Sequence, residues 1–371
     1  SVMFGGRIPN YHKYAAKLSP REYIDRVREK KIHDPVLSFQ LSNDFHVVKL
    51  LKGYMPDDVD SMEYAALMEW DNIFHHQERM RRMESRNVRI GLVQWQMRSY
   101  ADRDAMFKHL DFYLQVVSGY QSDFAVLPEL FNAPLMAAYK DRSEAEAIRL
   151  LAEHTVPIRD YLLEAAVKYN LNIVSGSMPY VENGGLFNVG FLCRRDGTWE
   201  RYEKIHITPN ERRAWGIQGG NQLKVFDTDV GRVGVLICYD CEFPEIVRLL
   251  ALQGMQILFI PFLTDTQNAF SRVKHCAQAR AIENECFVAI SGSVGNLPGV
   301  SNMDIQFAQS AVFTPCDFAF PSTGIKGEAT TNTEMVLMVD VDLSLLKDLH
   351  HYGSVQNLKD RRTDLYELKL K

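Results

Sequence analysis

Nothing in this 371-residue chain is apolar for long enough to cross a bilayer, and no charged-then-apolar leader opens it. The expectation is a cytoplasmic protein with no membrane partner. An excess of positive charge is also missing: Lys+Arg number 42 against Asp+Glu 47, a formal net charge of -5. Without a basic stripe, nucleic acid is not an expected partner. A disulfide framework is absent as well. The six cysteines, Cys193, Cys238, Cys241, Cys276, Cys286 and Cys316, are scattered and lie mostly in apolar runs, as reduced thiols do. Cys238 and Cys241 form a lone C-x-x-C, and a zinc ribbon would lack its other half. His75-His76 sits in a charge-dense run and reads as solvated, so no metal is expected. There is no internal repeat and no low-complexity tract.

The length suits one large domain plus an attachment. Residues 1–85 are rich in Tyr, His and charge. Ser19 and Pro20 read as the cap and first turn of a helix, Phe45 to Val48 and Tyr64 to Met68 as strands, and Pro56-Asp57-Asp58 as a turn between them. The run His75 to Glu84 reads as a connecting helix or linker. Over residues 86–371 strands and helices alternate. Val88–Val93, Phe124–Leu127, Ile173–Gly176, the run into Cys238, Ile257–Pro261 and Phe287–Ile290 read as buried strands. Helices are expected near 104–117, 142–152, 156–169, from Pro244, and over about 271–284. Asp196-Gly197 marks a hairpin turn. The pattern is α/β, with sheets packed between helices.

Three groups at or after strand ends carry the chemistry. Cys238 ends the apolar run Gly234-Val235-Leu236-Ile237, with Pro244 opening a helix beyond it. A thiol there would sit on rigid backbone, facing a helix start, where its pKa can be lowered. Alone, such a cysteine is more often a small core hydrophobe. Glu129 follows Leu127-Pro128, and Lys204 lies in Tyr202-Glu203-Lys204-Ile205-His206. Each is commonplace alone. Together they supply a nucleophile, a carboxylate base and an ammonium that, with a backbone N–H such as that of Tyr239, meets negative charge on a substrate. His206, two residues beyond Lys204, would share its strand face and serve packing or hydrogen bonding.

The segment Ile237-Cys238-Tyr239-Asp240, continuing to Phe243-Pro244-Glu245, resembles the cysteine motif of the nitrilase superfamily of carbon–nitrogen hydrolases. Leu127-Pro128-Glu129 resembles its glutamate motif and Tyr202 to His206 its lysine motif. Arg280-Ala281-Ile282-Glu283-Asn284 is similar to a fourth recurrent segment. The four occur in the family's order, across about residues 87 to 345. The resemblance implies a four-layer α-β-β-α sandwich with a small α+β N-terminal extension, assembling as a homodimer or higher homo-oligomer. It implies a cofactor-free amidase acting on a small-molecule amide or carbamoyl compound. Glu129 would be the general base, Lys204 the stabiliser of the tetrahedral intermediate and Cys238 the thioester-forming nucleophile. Glu211 would be a second glutamate that positions the lysine or the substrate, while Glu245 and Arg248 would be structural. Around Cys316-Asp317 the chain departs from the glycine turn of many relatives.

The first 85 residues carry a fainter resemblance. Asp34 to Gln40, then Gly53-Tyr54 to Glu69-Trp70, are similar to the closing part of a GNAT-type acetyltransferase domain. The Gly-rich loop that would hold the pyrophosphate of acetyl-CoA is not visible, so no acetyltransferase activity is expected. Substrate contacts are expected from Tyr239, Phe262, Thr264 and Asp265, which flank the ends of central strands. Asp265 would favour a cationic substrate such as a polyamine derivative, or else cap the next helix. Two other functions compete: a catalytically retired scaffold of the same fold, and a thiol redox protein using Cys238 and Cys241.

Overall fold

Successive residues of one short strand face two different cores. Phe124 and Val126 point into one apolar cluster, while Ala125 and Leu127 point into another. Ile90 and Leu92 likewise face the first, and Val93, Trp95 and Met97 the second. This period of two is what a strand buried on both faces requires. The computed structural model describes residues 2–43, 45–70 and 87–370. The chain divides into two compact units, Ser1–Glu84 and Ser85–Lys371. The linker expected over His75 to Glu84, with its paired histidines, lies outside the described residues.

The larger unit is an α/β sandwich. Parallel strands Asn87–Met97, Phe124–Val126 and Asn172–Val174 form the centre of one half. Parallel strands Gly231–Val235, Ile257–Phe262 and Phe287–Asn296 form the centre of the other. The halves join where Ser293–Gly295 pairs with Trp95–Met97. Their inner faces meet, with the rings of Phe124 and Phe259 centred 4.9 Å apart. Helices Arg103–Gly119 and Thr155–Tyr169 cover one outer face through Met106, Leu110, Leu114, Ile158 and Leu162. Helices Pro244–Leu252 and Gln267–Glu283 cover the other through Val247, Leu250, Val273 and Ala277. The layers are therefore helix, sheet, sheet, helix. In such sheets, functional groups gather at the carboxyl ends of the parallel strands.

Two expectations about strand ends are corrected. The strand leading to Cys238 stops at Val235, and Cys238 itself opens a 3-10 turn, Cys238–Glu242, before the helix begins at Pro244. The strand before Lys204 is Trp199–Glu203, so Lys204 and His206 lie beyond it and share no strand face. Beyond these ends the bonding turns to other segments: Asp240 accepts from the Ile205 and His206 N–H groups, while the Lys204 N–H still reaches the Asn188 carbonyl of the neighbouring strand at 2.9 Å.

The smaller unit is an antiparallel three-stranded sheet, ordered Val2–Arg7, Tyr64–Trp70, His46–Lys52. Helix Pro20–Arg28 starts in a capping box: Ser19 Oγ accepts from the Glu22 N–H, and Glu22 accepts from the Ser19 N–H. Among the described residues, no helix is long and apolar enough to cross a membrane.

One glycine sets the position of the Glu129 segment. Gly176 has φ +66°, and a Cβ there would stand 1.9 Å from the Pro128 carbonyl oxygen. Gly184 has a similar φ of +79° but no atom within 4 Å of an added Cβ. Gly184→Ala is therefore expected to lose only the left-handed backbone cost, about 1–2 kcal/mol. Gly176→Ala adds a backbone clash and is expected to lose at least about 3 kcal/mol in denaturant unfolding. Equal losses in the two variants would show that this close approach is unimportant.

Candidate active site

Lys204 follows the end of a strand and enters the interior, where its ammonium meets two carboxylates. Its Nζ lies 2.7 Å from Glu129 Oε1 and 2.7 Å from Glu211 Oε1. The three side chains are 2%, 3% and 8% exposed, respectively. Charges so far from water persist only if paired and hydrogen-bonded, and each carboxylate here accepts from further donors.

Glu211 is oriented by a helix start. Thr208-Pro209-Asn210-Glu211 is a capping box with proline in the first turn, ahead of helix Pro209–Trp215. Glu211 Oε2 accepts from the Thr208 N–H at 3.0 Å and from its hydroxyl at 2.8 Å, which leaves Oε1 for Lys204. The T-x-x-E spacing announces this geometry in the sequence.

Glu129 is held from both sides. Oε1 accepts from Asn188 Nδ2 at 3.0 Å, and Oε2 accepts from the Leu263 N–H at 3.0 Å. The Leu263 carbonyl in turn accepts from Cys238 Sγ at 3.6 Å, so the backbone of one residue touches both carboxylate and thiol. Neither Asn188 nor Leu263 was singled out from sequence. Leu263 acts through its backbone, which its side chain does not reveal.

The residues after both Glu129 and Ile237 have strained backbone: Leu130 and Cys238 each have φ +48°. Such non-glycine residues cost about 1–3 kcal/mol each and persist when neighbours over-determine them. At Cys238 those neighbours are visible. Asp240 accepts from the Ile237 N–H at 3.3 Å, and Arg280 donates to the Cys241 carbonyl at 3.0 Å and the Glu242 carbonyl at 3.3 Å. No hydrogen bond among the described residues uses the Tyr239 N–H, which is left free beside the thiol.

The electrostatics follow from burial and proximity. Burial, reinforced by Glu129, pushes the Cys238 thiol well above its usual range, against a smaller opposing pull from Lys204. The expectation of a lowered thiol pKa at a helix start is thus corrected: the helix begins only after Phe243, and desolvation dominates. Burial likewise raises the Glu129 carboxyl, with Lys204 offsetting only part of it and Glu211 adding to it. Burial alone would raise Glu211 too, but the Lys204 ammonium and the Thr208 donors hold it below the ordinary carboxylate value. Burial would lower Lys204, yet the surrounding carboxylates outweigh that and raise it. A proton passing from Sγ to Glu129 leaves the total charge of the buried cluster unchanged, so the transfer needs no ion from solvent.

The other expected contacts divide. Tyr239 is half-buried beside the cysteine, its ring edge-on to Phe243 at 5.0 Å. Phe262 is fully buried in the core, where a Cβ on Gly292 would strike its ring. The Thr264 hydroxyl is already engaged, donating to the Phe307 carbonyl at 2.6 Å. Asp265 is exposed, and the cap of the next helix is Thr266, which accepts from the Ala269 N–H. Glu245 is exposed, and Arg248 donates to the Glu283 carbonyl at 2.6 Å. Cys241 Sγ is directed at the Val273 carbonyl on helix Gln267–Glu283, not toward Cys238. Among the described residues, no group of three or more His, Cys, Asp or Glu side chains is arranged to hold a metal ion.

The carbon-nitrogen hydrolase family pattern matches residues 89–351 of the chain. A probable hydrolase of Bacillus subtilis (strain 168), YhcX, is 46% identical over 373 residues, covering 100% of this chain and 73% of that protein. The omega-amidase NIT2 of Danio rerio is 26% identical, covering 68% of this chain and 87% of its own. Among solved structures, a mutant of a Nesterenkonia AN1 amidase from the nitrilase superfamily superimposes with a TM-score of 0.59 at 22% identity. It covers 75% of this chain and 95% of that one.

The charge cluster gives a pH-dependent prediction. Glu211, lowered in the fold, contributes stability above its unfolded pKa that is lost as pH falls through its folded one. Glu129 and Lys204, both raised, contribute stability below their unfolded values that is lost as pH rises through their folded ones. In Lys204→Met both carboxylates are left without a counter-ion, so both should titrate above their unfolded values. We expect a loss of about 3–5 kcal/mol at neutral pH, shrinking as pH is lowered from about 8 to about 5. Denaturant unfolding across that range checks it, and a pH-independent loss would contradict it.

Proposed function

The chain belongs to the carbon–nitrogen hydrolase family of the nitrilase superfamily, and from that premise we propose that it hydrolyses a linear, non-peptide C–N bond in a small amide or carbamoyl compound. The observation that carries this reading is the buried Lys204 bonded to two carboxylates, one of which, like the thiol, is bonded to the backbone of Leu263. Glu129 takes the proton from Cys238 Sγ as sulfur attacks the carbonyl carbon. The Lys204 ammonium and the Tyr239 N–H stabilise the oxyanion, and Glu211 keeps Lys204 in place. The C–N bond then breaks, and the leaving nitrogen takes the proton from Glu129 and departs as ammonia or an amine. Water attacks the remaining thioester, giving its proton to Glu129. Collapse of that second intermediate breaks the C–S bond, releasing the acid and restoring the thiol. The upward shift of Glu129 supports its role as the base, because a base with raised proton affinity accepts more readily from a thiol.

Amides are favoured over nitriles because the relatives include an omega-amidase and an amidase. A homodimer or higher homo-oligomer in the cytoplasm completes the reading. Phe318 at 97% and Tyr352 at 86% exposure are large apolar groups of the kind a second copy covers. For the N-terminal unit we keep the reading of a partial GNAT-like module without acetyltransferase activity, supported by its short antiparallel sheet flanked by helices.

A panel of amides and N-carbamoyl compounds screened for ammonia release identifies the substrate class. Cys238→Ala should lower turnover of any hit by about 10⁴-fold or more while unfolding like the wild type. Acid-quenched wild type should carry the acyl mass on Cys238, and the variant should carry none. A variant that retains turnover would overturn the mechanism.

A further inference from the structure

Asp240 is fully buried, yet it lies in none of the charge pairs that make up the candidate site. Its carboxylate gathers donors from two segments far apart in sequence. Oδ2 accepts from the Ile237 N–H at 3.3 Å, on the cysteine side, and from the Ile205 N–H at 3.2 Å, on the lysine side. Oδ1 accepts from the His206 N–H at 2.7 Å and lies 2.9 Å from His206 Nδ1, which donates to it when that nitrogen carries the proton. The His206 ring is stacked on Phe243 with centroids 3.6 Å apart and planes within 8°. One carboxylate thus bridges the residue before Cys238 to the two residues after Lys204, and the His206–Phe243 stack closes the same loop from outside.

We propose that Asp240 is a positioning residue that fixes Cys238 and Lys204 relative to each other, with His206 as its second anchor. The inference rests on the function proposed above, and it extends that function to how two separate segments are held in register. The physical argument concerns donors. Lys204 and Cys238 have no direct hydrogen bond, and both lie in irregular backbone beyond their strands. Without a shared acceptor, three backbone N–H groups at the junction lose their partner. Asp240→Asn preserves shape but sets an NH₂ against those donors. Displacements of about 1 Å at reacting groups can cost about 100-fold in rate.

The probe is iodoacetamide, which needs no knowledge of the substrate. Alkylation of Cys238 is followed by peptide mass, with the exposed Cys316 as the internal reference thiol. Asp240→Asn is expected to slow Cys238 alkylation about tenfold relative to Cys316. Turnover of a substrate found in the amide panel should fall about 100-fold in kcat with KM changed less than about threefold. His206→Phe keeps the stacking ring but removes the donor, and should slow alkylation about fivefold, whereas His206→Asn restores a donor and most of the rate. Gly184→Ala, destabilised elsewhere, should leave the Cys238 to Cys316 ratio unchanged. If Asp240→Asn does not fold, the two His206 variants carry the test alone.

Unchanged alkylation ratios in Asp240→Asn and His206→Phe, with Glu129→Gln clearly slowed, would overturn this inference and leave the proposed function standing. An unchanged ratio in Glu129→Gln would instead remove the premise.

Discussion

A lysine ammonium buried between two carboxylates is the constraint on which the rest of this structure depends. Lys204, Glu129 and Glu211 would each be costly to bury alone, and each is held by partners that the fold brings in from elsewhere. Two negative groups around one positive group leave an uneven balance. Glu211, with the capping donors of Thr208, takes the stabilised share and stays low. Glu129 takes the destabilised share and is raised, which is the property a proton acceptor for a thiol needs. The same environment raises the thiol. In the proposed reaction two raised proton affinities are matched, and no preformed thiolate is required.

That arrangement has to be fixed on backbone that is not regular secondary structure. The parallel strands end before the working groups begin: at Val126 before Glu129, at Val235 before Cys238, and at Phe262 before Leu263. Beyond those ends the chain relies on single acceptors and donors that span segments. The Leu263 backbone joins Glu129 to the thiol, Arg280 closes the cysteine turn, and Asp240 joins that turn to the lysine segment. The left-handed backbone at Cys238 is tolerated because these bonds over-determine it. Gly176, packed against the Pro128 carbonyl, performs the corresponding service for the glutamate.

Much of the fold was legible because burial on both faces leaves strong signals. Runs such as Phe124 to Leu127 and Ile257 to Pro261 could only be interior strands, and the caps at Ser19 and the turn at Asp196-Gly197 are local chemistry. The strand ends were not legible, because an apolar run such as Val235-Leu236-Ile237 continues past the point where ladder bonding stops. The three principal site residues were found as separate motifs, but their shifts were not: the thiol was expected to be lowered, and burial raises it. Asn188 and Leu263 were missed since an amide and a backbone N–H carry no mark of what they face across 59 and 134 residues. Asp240 was on view inside the cysteine motif, where a carboxylate between Tyr239 and Cys241 in a buried turn already demands donors. At Phe262, Thr264 and Asp265 proximity to a strand end did not reveal that the first packs inward, the second is bonded to the Phe307 carbonyl and the third faces solvent.

The central claim is that the Cys238 thiol rests protonated and gives up its proton only as it attacks. Ultraviolet titration of thiolate absorbance in the wild type, with Cys238→Ala subtracted, tests it most directly. The account predicts no Cys238 thiolate from about pH 5 to about pH 9, because burial and Glu129 hold the thiol above the ordinary range. A thiolate appearing with a midpoint below about 8 would contradict it, and would mean that Lys204 rather than Glu129 governs the nucleophile.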